Sequence, residues 1–234
     1  NITGRMRGTV IAVALGLAIA ADLVALVHGL PRDLFWAYLS VAITLAGYAY
    51  YVWQMYPQAG YPTVKPEPLT WALFGFLTSA GWIVQQAQGG AAGSWCLGVT
   101  ALACFVIALW SYLKFDWTFD RLHMRVAIGA LVLFVFSFAM RNEPAYATLS
   151  AVAAAFADFV SYFPSVRKAY HLPREESVTN LIFNSVKAIP ALLALDVYNV
   201  ATTVYLLMLA VTNGAFALYL VYRRHQVHRA ATPL

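Results

Sequence analysis

The sequence predicts an all-α integral membrane protein of about eight transmembrane helices: two parallel three-helix repeats joined by a linking helix, plus one extra N-terminal helix. Three observations predict it. Of 234 residues, 62% are hydrophobic and 11% charged, against about 25% charged in a soluble domain. Apolar runs of about 20 residues, enough to cross a hydrocarbon core as helix, recur along the chain. Nearly all the basic residues fall in loops on one side of those runs.

Taken in order, the spans are 8–28, 33–55, 68–87, 94–114, 123–140, 145–168, 177–195 and 198–222. Arg5 and Arg7 ahead of the first run also fit a signal peptide. Its apolar core from Val10 to Val27 is long for one, and Ala20-Ala21-Asp22 makes a weak cleavage site, so a retained helix is expected. Pro31, Pro66, Pro68, Pro144 and Pro173 fall at or between span ends, where a missing N–H costs least. The domains expected are 1–30 for the extra helix, 33–114 for repeat one, 115–141 for the linking helix, 145–222 for repeat two and 223–234 for a basic cytoplasmic tail.

Orientation follows from the 15 Lys and Arg residues. Arg5, Arg7, Lys65, Lys114, Arg121, Arg125, Arg167, Lys168, Arg174, Arg223, Arg224 and Arg229 lie on one side, and only Arg32 and Arg141 on the other. Lys187 lies inside a span. The positive-inside rule then places both termini in the cytoplasm, in a plasma (inner) membrane. The formal charge of +5 does not point to nucleic acid, because it is spread over short loops and forms no recognition patch. Cys96 and Cys104 stand eight residues apart on one helix, about 12 Å along its axis, too far for a disulfide. No metal-ligand spacing, zinc-protease motif, nucleophile elbow or phosphate loop is present, so neither an enzyme nor a cofactor is expected. His28, His123, His171, His225 and His228 lie at span ends or in loops.

Sliding the chain against itself gives one informative register, at an offset of 107 residues. Tyr56-Pro57 then aligns with Phe163-Pro164, Thr70 with Ser177, Phe76 with Phe183, Thr78 with Ser185 and Tyr112 with Tyr219. Spans two to four and six to eight line up as triplets, and the fifth span between them gives both the same orientation, as parallel repeats have.

Tyr56-Pro57-Gln58 at the end of the first helix of copy one and Phe163-Pro164-Ser165 at the same place in copy two resemble the PQ-loop and SWEET-type transporter clan. The run Val166-Arg167-Lys168, then Pro173, Glu176 and Ser177, resembles it too, over residues 33–222. The resemblance implies two three-helix bundles around a linking helix, and alternating access to a site between the bundles. It also places Trp82 where sugar-transporting members often carry a pocket tryptophan. Copy two has Pro-Ser in place of Pro-Gln, and Ile189 where a second tryptophan would fall.

Asp158 and Lys187 lie near the middle of adjacent spans. An unpaired charge there costs at least about 2.5–3.5 kcal/mol, so both are expected to face the bundle interior and to pair. That pair reads either as a substrate site or proton-coupled gate, or as a structural salt bridge. Asn184, Asn180 and Ser177 share the helical face of Lys187 and either line a pocket or bond a neighbouring helix. Trp82 and Gln85, three residues apart, can face one cavity, although Trp82 fits equally an interfacial anchor. Asn213 lies near the midplane of the last span and either joins the pocket or bonds across helices. Pro57, Pro164 and Pro190 are hinge candidates, or simply end or kink their helices.

The function expected is a membrane transporter of a small polar solute, bound by Asp158, Asn184, Lys187, Asn213, Trp82 and Gln85 at the midplane. The alternative is a non-transporting receptor or complex subunit of the same fold. A retinal photoreceptor with Lys187 as Schiff-base lysine is a third reading, although Phe183 stands where an aspartate is usual. The partners implied are a small-molecule solute and the lipid bilayer, with self-association into a homo-oligomer left open.

Overall fold

The computed structural model describes residues 31–56, 64–115 and 121–230. The predicted first span, with Asp22 and His28, and the Pro57-Gln58 pair lie outside them. Among the described residues every regular element is helical. In order they are α1 (Arg32–Gln54), α2 (Pro68–Ala87), a 3-10 turn (Ala91–Ser94), α3 (Trp95–Lys114), α4 (Arg121–Met140), α5 (Pro144–Ser161), α6 (Phe163–His171), α7 (Val178–Val186), α8 (Ala188–Leu193) and α9 (Val200–Ala230).

The helix ends follow local chemistry. Pro68 and Pro144 open α2 and α5 in the first turn, where no partner awaits their missing N–H. Ser177 caps α7, its Oγ accepting from Asn180 N at 3.2 Å. The run 178–193 breaks into α7 and α8 at Lys187, because Pro190 has no N–H to return to the carbonyl of Val186. At the break, Ser40 Oγ of α1 donates to the Lys187 carbonyl at 3.0 Å. A second interruption, at Tyr162, separates α5 from α6 two residues before Pro164.

Eight long apolar spans are not what these residues form. Four stretches, Arg32–Gln54, Ala91–Lys114, Pro144–His171 and Val200–Val227, are long and apolar enough to cross a membrane. Val178–Leu193 is apolar but shorter, and α4, 20 residues long, is apolar over Ile128–Met140. The shortfall has visible causes. α2 carries Thr70, Thr78, Ser79, Gln85 and Gln86 among its apolar residues, and 178–193 is broken at Lys187. α9 continues to Ala230, through the first part of the predicted basic tail.

The side-chain distribution is that of a helical membrane protein. Leu102, Leu109 and Leu113 of α3, Val132 and Val135 of α4, Phe156 of α5 and Leu218 of α9 are exposed, far more apolar surface than a soluble monomer leaves to water. Small and polar residues fill the interior instead. Ala147, Ala151, Ala154 and Ala155 of α5 are buried, letting α2 and α9 approach closely. Buried hydroxyls satisfy themselves along their own helices, as Thr44 does on Ser40 O at 2.7 Å and Thr100 on Cys96 O at 2.6 Å.

The packing has a recurring pattern. α3 packs on both α1 and α2, and α9 packs on α5 and on α7 with α8. α4 rests against α2 and α5. The two groups meet where α2 packs on α5 and where α1 packs on α7 and α8.

Candidate functional site

A partly open cavity lies where those two groups meet. The first group contributes Tyr48, Tyr51, Trp71, Phe74, Thr78, Thr100 and Cys104, and the second Asp158, Tyr162, Asn180, Asn184, Asn213 and Phe216, among others. At one end the wall is completed by Ser165, Glu176 and Ser177, next to α6. Ser165 and Glu176 are partly exposed, so the cavity opens toward that end.

Asp158 is 1% exposed, yet neither carboxylate oxygen has a hydrogen-bond partner. The Tyr205 hydroxyl stands beside it and shares a hydrogen bond with Thr78 Oγ1 at 3.2 Å, in which either oxygen can donate. The expected Asp158–Lys187 ion pair does not form. Lys187 Nζ instead donates to Thr100 Oγ1 at 2.5 Å and lies 5.2 Å from the centre of the Tyr48 ring. The break at Lys187 that Pro190 imposes comes with this placement: the lysine is buried behind Thr100 and does not border the cavity.

The two predicted asparagines do reach the cavity, and their amides are held in one sense. Asn184 Nδ2 donates to Asn180 O at 3.1 Å, and Asn213 Nδ2 to Leu209 O at 2.8 Å. A carbonyl only accepts, so each Oδ1 is turned the other way. There Tyr48 Oη donates to Asn184 Oδ1 at 3.1 Å and Tyr162 Oη to Asn213 Oδ1 at 2.9 Å.

Trp82 and Gln85 are placed elsewhere. Trp82 is 37% exposed and lies over Gly98 of α3, so close that a Cβ on that glycine would meet the indole at 2.9 Å. Gln85 is buried and its Nε2 donates to the Thr202 carbonyl, tying α2 to the start of α9. The sequence alone does not single out these tyrosines and Trp71, because aromatic residues make up 15% of it. One signal was available: the 107-residue offset relates Asp158 to Tyr51, and the Tyr51 hydroxyl is likewise buried without a partner in the cavity wall.

The open end is also the basic end. Lys168 Nζ lies 3.7 Å from Glu175 and 3.3 Å from Glu176, and donates to Lys65 O at 2.7 Å. Arg224 donates to the carbonyls of Pro173 and Glu176, and Ser177 Oγ to Gln54 Oε1. Burial pushes the Glu176 carboxyl up from its ordinary range, and the Lys168 ammonium opposes that shift. The opposite end is sealed by close backbone approach. A Cβ on Gly93 would meet Ala191 O at 2.7 Å and Leu195 N at 2.8 Å, and Ala37, Ala92 and Ala194 cluster beside it. Compared with known families, curated proteins and solved structures, the chain matches none.

Proposed function

We propose that the protein is a membrane transporter of a small polar solute, working by alternating access at the cavity between the two helix groups. The observation that carries the reading is the pair of features at that cavity. A buried, unpartnered carboxylate faces it, and it is open at one end and sealed at the other. A structural polar core would have its groups satisfied internally, whereas a site keeps groups for its ligand.

Two further features support it. Each group of three places its third helix between the first and second, and the first helix of each group packs on the second of the other, the relation expected of two parallel repeats. Four stretches long and apolar enough to span, with the 20-residue α2 and α4 and the broken α7–α8 beside them, support a reading of seven crossings in 3+1+3 order, as the PQ-loop and SWEET resemblance implies. The basic end, which carries Lys65, Lys168 and Arg224, is then the cytoplasmic side of an inner membrane, and the C-terminal end of α9 lies there. The breaks at Tyr162 and Lys187, near Pro164 and Pro190, are the hinges on which one group rocks against the other. The Schiff-base reading of Lys187 draws no support from a side chain that contacts Thr100 and Tyr48.

The test is uptake into proteoliposomes for a panel of cationic, neutral and anionic small solutes. Saturable uptake of one class is expected, reduced at least tenfold by Asn184→Leu and by Asn213→Leu, which fill the cavity. If no solute of any class moves while the protein copurifies with a membrane partner, the receptor or subunit reading takes its place.

A further inference from the structure

The cavity wall is one-sided in its chemistry. Among the described residues its charged side chains are Asp158 and Glu176, and no lysine, arginine or histidine borders it. Glu176 is engaged by Lys168 at 3.3 Å. Asp158 has no ion pair among the described residues: both of its oxygens lack a hydrogen-bond partner at 1% exposure, with the Tyr205 hydroxyl standing beside it. Asn180 Oδ1 of α7, a residue 5% exposed, is a third unpartnered acceptor. The remaining unpartnered group in the wall is the Tyr51 hydroxyl, which can donate or accept.

Several of the donors around the cavity are committed elsewhere. The amides of Asn184 and Asn213 are turned onto backbone carbonyls, the Tyr48 and Tyr162 hydroxyls donate to those same asparagines, and the Lys187 ammonium is spent on Thr100. A buried carboxylate left alone is destabilising by several kcal/mol, and a ligand that brings both positive charge and N–H groups relieves it. Aromatic side chains, Trp71, Phe74 and Phe216, complete the wall, and aromatic faces attract cations while rejecting anions.

We propose that the solute of this site is a small organic cation bearing N–H donors, an ammonium or guanidinium compound held by Asp158, with Asn180 Oδ1 as second acceptor. This rests on the transporter reading for its movement across the membrane, but the binding it asserts stands apart from it.

Four probes of similar size separate the components: methylguanidinium has charge and N–H groups, methylurea has N–H groups alone, tetramethylammonium has charge alone, and acetate has the opposite charge. Each is titrated into the detergent-purified full chain against matched sodium chloride while the melting temperature is followed. Methylguanidinium alone is expected to raise it, saturably, by about 2–4 °C at about five times its Kd, and Asp158→Asn removes the response. An equal response to methylurea, tetramethylammonium, acetate or sodium overturns the proposal, as does a full response in Asp158→Asn. Where that variant does not fold, carbodiimide labelling of the native chain serves instead. Methylguanidinium is expected to protect Asp158, and unaltered labelling overturns the proposal. Uptake distinguishes the two readings: Asp158-dependent binding without potential-driven uptake retires the transporter and keeps the cation site. Saturable methylurea uptake with no response to methylguanidinium does the reverse.

Discussion

Replacing Thr100 with valine is expected to destabilise the protein far more than replacing Lys187 with methionine. Thr100→Val keeps the shape of the side chain and removes the oxygen that accepts from Lys187 Nζ at 2.5 Å. The ammonium is then left with the face of Tyr48, 5.2 Å away, in a residue 1% exposed. Stranding a buried charge costs about 3 kcal/mol or more, which lowers the melting temperature of a chain of this size by about 6–12 °C. Lys187→Met removes the charge itself and fills nearly the same volume. Thr100 Oγ1 still donates to Cys96 O at 2.6 Å, so nothing is orphaned and the change stays within about 1.5 kcal/mol. The double variant is expected to match Lys187→Met, because the cost of Thr100→Val exists only while the ammonium is there to be stranded. Thermal unfolding of the three variants checks this. Should Lys187→Met be the most damaging of them, the lysine is acting through Asp158 across the cavity, and the ion-pair reading returns.

What the sequence could not show about this lysine was its rotamer. Two opposite charges near the middle of adjacent spans invite a salt bridge, since hydropathy and spacing report depth but not direction. The break at Lys187, which Pro190 does announce, places the lysine beside α3, where Thr100 and Tyr48 hold it. Trp82 and Gln85 escaped for a related reason. Their spacing puts them on one face of α2, but whether that face meets the cavity, α3 or α9 depends on how α2 is rotated among its neighbours. The resemblance suggested one rotation, and Gly98 and Thr202 reveal another. Features tied to the backbone were legible throughout. The starts at Pro68 and Pro144, the cap at Ser177 and the break before Pro190 all fall where residue chemistry put them. Asp158, Asn184 and Asn213 were legible as well, because a polar side chain at that depth has few places to go.

The seal at the closed end carries the second large effect. Gly93→Val is expected to open the protein on the side that is now shut. The glycine is needed for a close approach: its missing Cβ would come within 2.7 Å of Ala191 O and 2.8 Å of Leu195 N. Both atoms are backbone, so no side chain can swing aside, and α8 itself must move away from the 3-10 turn. Overpacking of this kind costs about 1–3 kcal/mol, and here it falls on one conformation only, the one in which α1, the turn and α8 converge around Ala37, Ala92 and Ala194. If the two helix groups rock, the alternative conformation relieves the strain and its population rises by about tenfold for each 1.4 kcal/mol. Cys96 reports it, since this residue is 1% exposed and lies two residues past the end of the turn, in the first turn of α3. Cys104, which lines the cavity, is first replaced by serine. In that background a membrane-impermeant maleimide is expected to modify Cys96 at least tenfold faster in Gly93→Val than in the parent. Gly129→Ala, with nothing within 4 Å of its added Cβ, is the control and leaves the rate unchanged. A Gly93→Val protein that loses stability while Cys96 stays as slow as in the parent has a strained seal and no second conformation to escape into, and alternating access would then have no structural basis at this end.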